Sequence, residues 1–293
     1  MKMREFVLAT ESNNDMSPEF IAKHEILVIP HYYTVEEDVY GDGNEITIEE
    51  FYNEMRAGKK AGTMASNPAV ILEKFTQVAE SGKDILFISF SSALSGGYSN
   101  ICVGANEVME EYPEMKIKVI DTLSASLCEG MLLQKAAQLR AEGKNLEETV
   151  AAVEELVPHL AVQFTVENLD YLFRGGRLTK TSAVLGNMMN LKPVLYITEE
   201  GKLVALAKIR GRKKSIATMV DNMAERIGSY IEKQIFIGIL HGDCEEDALY
   251  LKKEVQERLG YTDDMFVIRP IGPSIGAHSG PGTLGVTFLA DMR

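Results

Sequence analysis

His278 stands in the run Ile271-Gly272-Pro273-Ser274-Ile275-Gly276-Ala277-His278-Ser279-Gly280-Pro281-Gly282, one imidazole among four glycines and two prolines. A turn of that composition exposes its backbone and can hold the ring in a set place, as the wall of a site rather than a plain C-terminal turn. A wall needs partners, and four other segments offer them. Gly62-Thr63-Met64-Ala65-Ser66-Asn67-Pro68 leads into a helical pattern, so hydroxyls and free N–H groups face the same way. Capping by Ser66 or Asn67 explains part of that segment, but not Thr63. Ser89-Phe90-Ser91-Ser92-Ala93-Leu94-Ser95-Gly96-Gly97-Tyr98 leaves a strand and enters a helix, where serine hydroxyls and N–H dipoles converge on an anion. Leu169-Asp170-Tyr171-Leu172-Phe173-Arg174-Gly175-Gly176-Arg177-Leu178 brackets a glycine pair with two arginines. An arginine so placed can fork onto a carboxylate or phosphate, the plain alternative being a C-cap glycine with solvated arginines. The fourth segment, Lys208-Ile209-Arg210-Gly211-Arg212-Lys213-Lys214, is basic in an acidic chain. It reads as a solvated helix start, although cations there oppose the helix dipole, or as a docking patch for an acidic or phosphate-bearing partner.

Hydroxyls with one arginine and one histidine can hold a carboxylate without reacting with it. An enzymatic alternative is a small-molecule hydrolase or acyltransferase using Ser95 and His278. A nominal triad would take Ser92 or Ser95, His278 and Asp121. Ser95 lacks a glycine two residues before it and so stands in no G-x-S-x-G elbow, the chain has no G-x-x-x-x-G-K-[ST] loop, and Gly272 to Gly280 is read as not opening a helix in the manner of a dinucleotide fingerprint. His241 and Cys244 form an HxxC with nothing nearby to complete a zinc set, so no metal is expected. Simple binding is therefore the stronger reading, with no catalytic residue and no cofactor.

The elements that must carry these segments follow from periodicity. Phe6–Thr10, Ile26–Tyr33, Ile85–Phe90 and Ile117–Asp121 read as strands, short and rich in Ile, Val and Phe. Between them, Ile48–Ala57 follows a capping box from Thr47 to Glu50, and Ala69–Glu80 follows Ser66-Asn67-Pro68. Ser95–Glu111 and Ser124–Glu142 are longer helical patterns. Strand then helix, repeated, predicts a parallel sheet with helices on its faces. After the helix Leu146–Leu156, Pro158 marks a boundary. Ala161–Val166 reads as a strand, and Val194–Thr198 with Lys202–Ile209 as a hairpin around Glu199-Glu200-Gly201. A helix over Lys213–Tyr230, a strand over Ile235–Leu240, a helix over Glu245–Leu259 and strands over Phe266–Pro270 and Leu284–Leu289 complete a mixed sheet. The expectation is an α/β protein of two domains, 1–158 and 159–293, with a ligand crevice between them.

Composition narrows the partners. The chain has 293 residues, 45% hydrophobic and 25% charged, enough for a large apolar interior. Lys plus Arg number 30 against 43 Asp plus Glu, a net charge of −13. That balance disfavours nucleic acid, which is held by neutralising phosphates, and anionic lipid surfaces. No apolar run reaches the ~18 residues of a membrane span, and no secretory signal pattern follows Met1. Cys102, Cys128 and Cys244 are far apart and read as reduced thiols, which suits a cytoplasmic protein.

Six of these pieces, in order, resemble the DegV proteins, the fatty-acid-binding component of bacterial fatty acid kinase. They are Thr63, Ser91-Ser92-Ala93-Leu94-Ser95-Gly96, Leu172-Phe173-Arg174-Gly175-Gly176-Arg177, Lys192-Pro193-Val194-Leu195, Arg210-Gly211-Arg212-Lys213 and His278-Ser279-Gly280-Pro281-Gly282. The resemblance covers roughly Phe6 to Leu289. It implies a two-domain α/β protein with one long-chain fatty acid in an internal apolar tunnel. The carboxylate would lie at the domain interface, where a separate ATP-dependent kinase phosphorylates it. Thr63 and Ser95 would bind the carboxylate, and Arg177 and His278 would form its cationic side. Ser66, Ser92 and Gly96 would be further head-group contacts, and Arg210 and Arg212 would lie where the kinase docks. The family often has serine directly after the threonine, where this chain has Met64. Either the head group has one hydroxyl fewer or Ser66 substitutes. The 14 methionines suit an adaptable apolar lining, although most are expected simply to be core.

Overall fold

Short runs of Ile, Val, Leu and Phe alternate with amphipathic stretches, and the computed structural model turns most of them into the elements their periods dictate. It describes residues 4–178 and 191–293. The first part contains β1 (Phe6–Glu11), α1 (Pro18–Lys23), β2 (Leu27–Ile29), β3 (Tyr32–Val35), β4 (Asp38–Tyr40), α2 (Ile48–Arg56), β5 (Ala61–Met64) and α3 (Pro68–Glu80). It continues with β6 (Asp84–Ser89), α4 (Gly97–Glu111), β7 (Ile117–Asp121), α5 (Leu127–Ala141) and α6 (Leu146–Glu154). There follow β8 (Leu160–Thr165), α7 (Asp170–Arg174), β9 (Val194–Ile197), β10 (Leu203–Ala207) and α8 (Arg212–Arg226). Last come β11 (Ile237–His241), α9 (Glu245–Leu259), β12 (Phe266–Pro270), α10 (Pro273–Ser279) and β13 (Leu284–Leu289).

The fold is α/β, with a parallel sheet, a mixed sheet and a small antiparallel one. The parallel sheet has the order β2-β1-β6-β7. Its strands are apolar on both faces. In β6, Ile85 and Phe87 pack with Ile71 and Phe75 of α3 and Ile101 of α4, while Leu86 and Ile88 pack with α5 and Leu146 of α6. The mixed sheet has the order β10-β9-β8-β13-β11-β12, with only β11 and β12 parallel. One of its faces is covered by α8 and α9.

The helix α5 joins the two sheets. Ten of its fifteen residues are buried, and its apolar residues run all round the axis, as in a helix packed on every side. It meets β1 and β6 on one side and β8, β11 and β13 on the other. A continuous core therefore runs from Leu8 and Ile88, through Met131 and Leu132, to Val162 and Leu240.

The third sheet, β4-β3-β5, departs from the periodicity reading. The apolar run Ile26–Tyr33 predicts one strand. Pro30 lacks an amide hydrogen, and the chain leaves the parallel sheet there, re-forming as β3 in the small sheet. The lead-in segment carrying Thr63 is itself a strand, β5, with Thr63 opposite Tyr33. The glycine-rich run around His278, read as a turn, contains the short helix α10. Its proline sits at the first helical position, where no amide is missed, and Gly280 ends it at φ 81°. α10 packs on β3, β5, α2 and α7, with Ala277 against Phe51 and Tyr52.

Candidate functional site

Strand alternation decides what β5 offers. Thr63 and Met64 point to opposite faces of their strand. Thr63 faces α10, where its Oγ1 lies 2.8 Å from His278 Nε2. Met64 is half exposed and takes no part in lining the cavity described below, so the methionine does not replace a head-group hydroxyl. The other ring nitrogen of His278 lies against Gly175, at the end of α7. A Cβ placed on Gly175 would sit 2.2 Å from His278 Nδ1, so only glycine allows α7 and α10 to approach this closely.

Two residues on, Arg177 donates from Nε to Leu94 O at 3.0 Å and from Nη1 to Gly175 O at 2.7 Å. These bonds tie the segment after α7 to the loop before α4. In that loop Ser95 Oγ accepts from Gly97 N at 3.1 Å, and Ser91 Oγ donates to Gly201 O at 3.0 Å in the β9–β10 turn. Hence the serine-rich loop is clasped from the mixed-sheet side at both its ends.

Thr63, Ser95, Arg177 and His278 all line one cavity of about 840 Å³, part of it open to solvent. The remaining wall is largely apolar and includes Phe90, Leu94, Val162, Phe164, Ile197 and Leu240. A polar end and an apolar body suit an amphiphile whose anionic head lies near Arg177.

Electrostatics revises one expectation. Burial, with smaller contributions from Arg177 and His31, pushes the His278 imidazole down to about 4. The ring is neutral at pH 7, so of the two residues read as the cationic side only Arg177 carries charge. Burial also lowers the Arg177 value, but a guanidinium stays protonated.

Other residues read from the sequence are placed elsewhere. Ser92 is exposed and its backbone N–H donates to Asp121 Oδ1; Gly96 is exposed too, and neither lines the cavity. Ser66 is buried, yet it is absent from the cavity wall, so it does not substitute for a missing hydroxyl. Asp121 accepts from the N–H groups of Ser92 and Leu123 and lies outside the cavity wall. The nominal triad is therefore not assembled: His278 Nε2 meets Thr63, and its Nδ1 side meets Gly175 rather than a carboxylate. Arg212 is committed to Asp247 at 2.8 Å and to Cys244, whereas Arg210 is exposed. His241 and Cys244 join no metal-holding cluster among the described residues.

Sequence reading missed a group of buried polar residues behind the site. Glu11, fully buried at the end of β1, accepts from His31 Nε2 at 3.0 Å, Ser89 Oγ at 2.9 Å and Phe90 N at 3.0 Å. Asp15 accepts from Ser126 Oγ and from Gly272 N at 2.9 Å, and burial pushes it up to about 6. Glu129 is held well above the usual carboxylate range by burial and by the neighbouring Glu11 and Asp15. Acidic residues following an apolar strand run were the available signal.

Comparison with known proteins places this geometry. Residues 5–291 match the family profile described as "Uncharacterised protein, DegV family". A DegV domain-containing protein of Clostridium perfringens is 37% identical over 293 residues, covering 99% of each chain. A DegV-family protein of Thermus thermophilus, described for its fatty acid binding, superposes with a TM-score of 0.86 at 30% identity, covering 98% of this chain and 100% of its own. A Ruminococcus gnavus relative, solved with vaccenic acid, gives a TM-score of 0.86 at 26% identity, with coverage of 98% and 100%. Among the described residues, no helix is long and apolar enough to cross a membrane.

Proposed function

Because this chain belongs to the DegV family, we propose that it binds one long-chain fatty acid in the cavity and presents the carboxylate to a partner. The observation that carries this reading is the Thr63–His278 pair, 2.8 Å apart, at a cavity also lined by Ser95 and Arg177 and largely apolar elsewhere. Thr63 and Ser95 supply hydroxyls to the head group. Arg177 supplies charge, and His278, neutral when unliganded, supplies a hydrogen bond. Burying each methylene of the tail contributes ~0.8 kcal/mol, so an enclosed chain binds tightly without strong polar contacts. The carboxylate must still be paired, or its desolvation opposes binding.

In the finer reading, domains 1–158 and 159–293 hold the ligand between them. The protein is a cytoplasmic carrier without catalysis of its own. An ATP-dependent fatty acid kinase docks beside exposed Arg210 and converts the carboxylate to an acyl phosphate. Arg212, tied to Asp247, supports that surface rather than contacting the kinase.

Native mass spectrometry of the purified chain tests the core of the proposal. A bound species of fatty-acid mass is expected, and it should be depleted in the Thr63→Val, Ser95→Ala double variant. Equal retention in that variant contradicts the assigned head-group site. Arg210→Glu should keep the lipid but slow its phosphorylation by the kinase; an unchanged rate removes the docking assignment.

A further inference from the structure

We infer that Asn13, His31 and Ser274 form a second polar subsite beside the head group, one that takes a hydroxyl carried on the first few carbons of the acyl chain. The inference rests on the fatty-acid reading and adds a substrate class to it. These three residues line both the main cavity and a neighbouring one of about 970 Å³ of empty space. Asn13 is 3% exposed, and its Oδ1 has no hydrogen-bond partner among the described residues. A buried carbonyl oxygen without a donor is costly, and a plain hydrocarbon chain offers none.

The fold holds the three residues together. His31 Nε2 is committed to Glu11 Oε1 at 3.0 Å, and Glu11 is itself fixed by Ser89 and Phe90. The imidazole is thereby oriented, and any bond it makes to a ligand comes from Nδ1. The bond from Gly272 N to Asp15 Oδ1, 2.9 Å, draws the loop after β1 to the start of α10, which brings Asn13 to Ser274. Ser274 precedes His278 by one turn of α10, about 6 Å along the axis. A ligand with its carboxylate at His278 and a hydroxyl a few atoms away spans that distance. The hydroxyl can donate to Asn13 Oδ1 and accept from the Ser274 hydroxyl, a pairing that a carboxylate alone cannot complete.

Competition binding on the full chain tests this with palmitate, 3-hydroxypalmitate, stearate and 12-hydroxystearate. The wild type should prefer 3-hydroxypalmitate to palmitate by about ten-fold. It should bind 12-hydroxystearate more weakly than stearate, because a distant hydroxyl would lie among apolar side chains. Asn13→Leu should reverse the first preference, and Ser274→Ala should reduce it several-fold, with thermal melts confirming that each variant folds. Where Asn13→Leu does not fold, Ser274→Ala decides. Equal or tighter binding of palmitate by the wild type overturns the subsite, as does an unchanged ratio in the folded variants. Failure of the wild type to bind any of the four acids instead overturns the fatty-acid reading, and the subsite with it.

Discussion

His278 is the residue whose chemistry the fold changes most. Free in solution its imidazole would titrate near 6.5, and burial holds it at about 4. The unfolded chain therefore binds this proton first, and the folded state loses stability as pH falls from about 6.5 towards 4. Asp15 works in the opposite sense. Its carboxyl is raised from 3.8 to about 6, so the stability it contributes is full below about 3.8 and is lost as pH rises through 6. The two windows overlap and oppose each other. At the ligand site the direction should change, because a bound carboxylate favours the protonated ring. NMR titration of His278 should give a midpoint near 4 without ligand and a higher one with saturating palmitate. A midpoint near 6.5 in both states would show that the ring is solvated and that the buried geometry is wrong.

At the scale of elements, the site depends on how closely separate pieces of backbone approach. β5 brings Thr63, the loop before α4 brings Ser95, the turn after α7 brings Arg177, and α10 brings His278. α7 and α10 approach closely at Gly175, which lies against the His278 ring. The glycine's φ of −73° suits any residue, so the constraint there is steric alone. Gly175→Ala should cost about 1–3 kcal/mol of stability, as overpacking does, and should weaken fatty acid binding by displacing the imidazole. Chemical denaturation and ligand titration of this variant check both effects. Full stability with unchanged affinity would mean that α7 and α10 have room to part.

At the scale of the molecule, α5 makes one core of two sheets, because its residues pack against both. The chain should accordingly unfold in a single transition rather than lobe by lobe. Fatty acid at 100 times its Kd should stabilise that transition by about 2.7 kcal/mol. Two resolved transitions by calorimetry, only one of them ligand-sensitive, would show that the lobes are independent. Much of this architecture was present in the sequence. Alternation of strand and helix patterns, the Thr47–Glu50 capping box and the β9–β10 hairpin turn determined the α/β class and the order of elements, because each depends on residues a few positions apart. The segments around Thr63, Ser95, Arg177 and His278 stood out by composition for the same reason. Only the tertiary structure decided that Thr63 rides a strand, that His278 is neutral on a helix, that Ser66 and Ser92 stay out of the cavity, and that Asn13 and His31 line it with Glu11 behind His31. Thr63 and His278 are 215 residues apart in the chain. Contacts over that separation, and the burial that shifts a proton, arise from packing, which no local pattern of residues encodes.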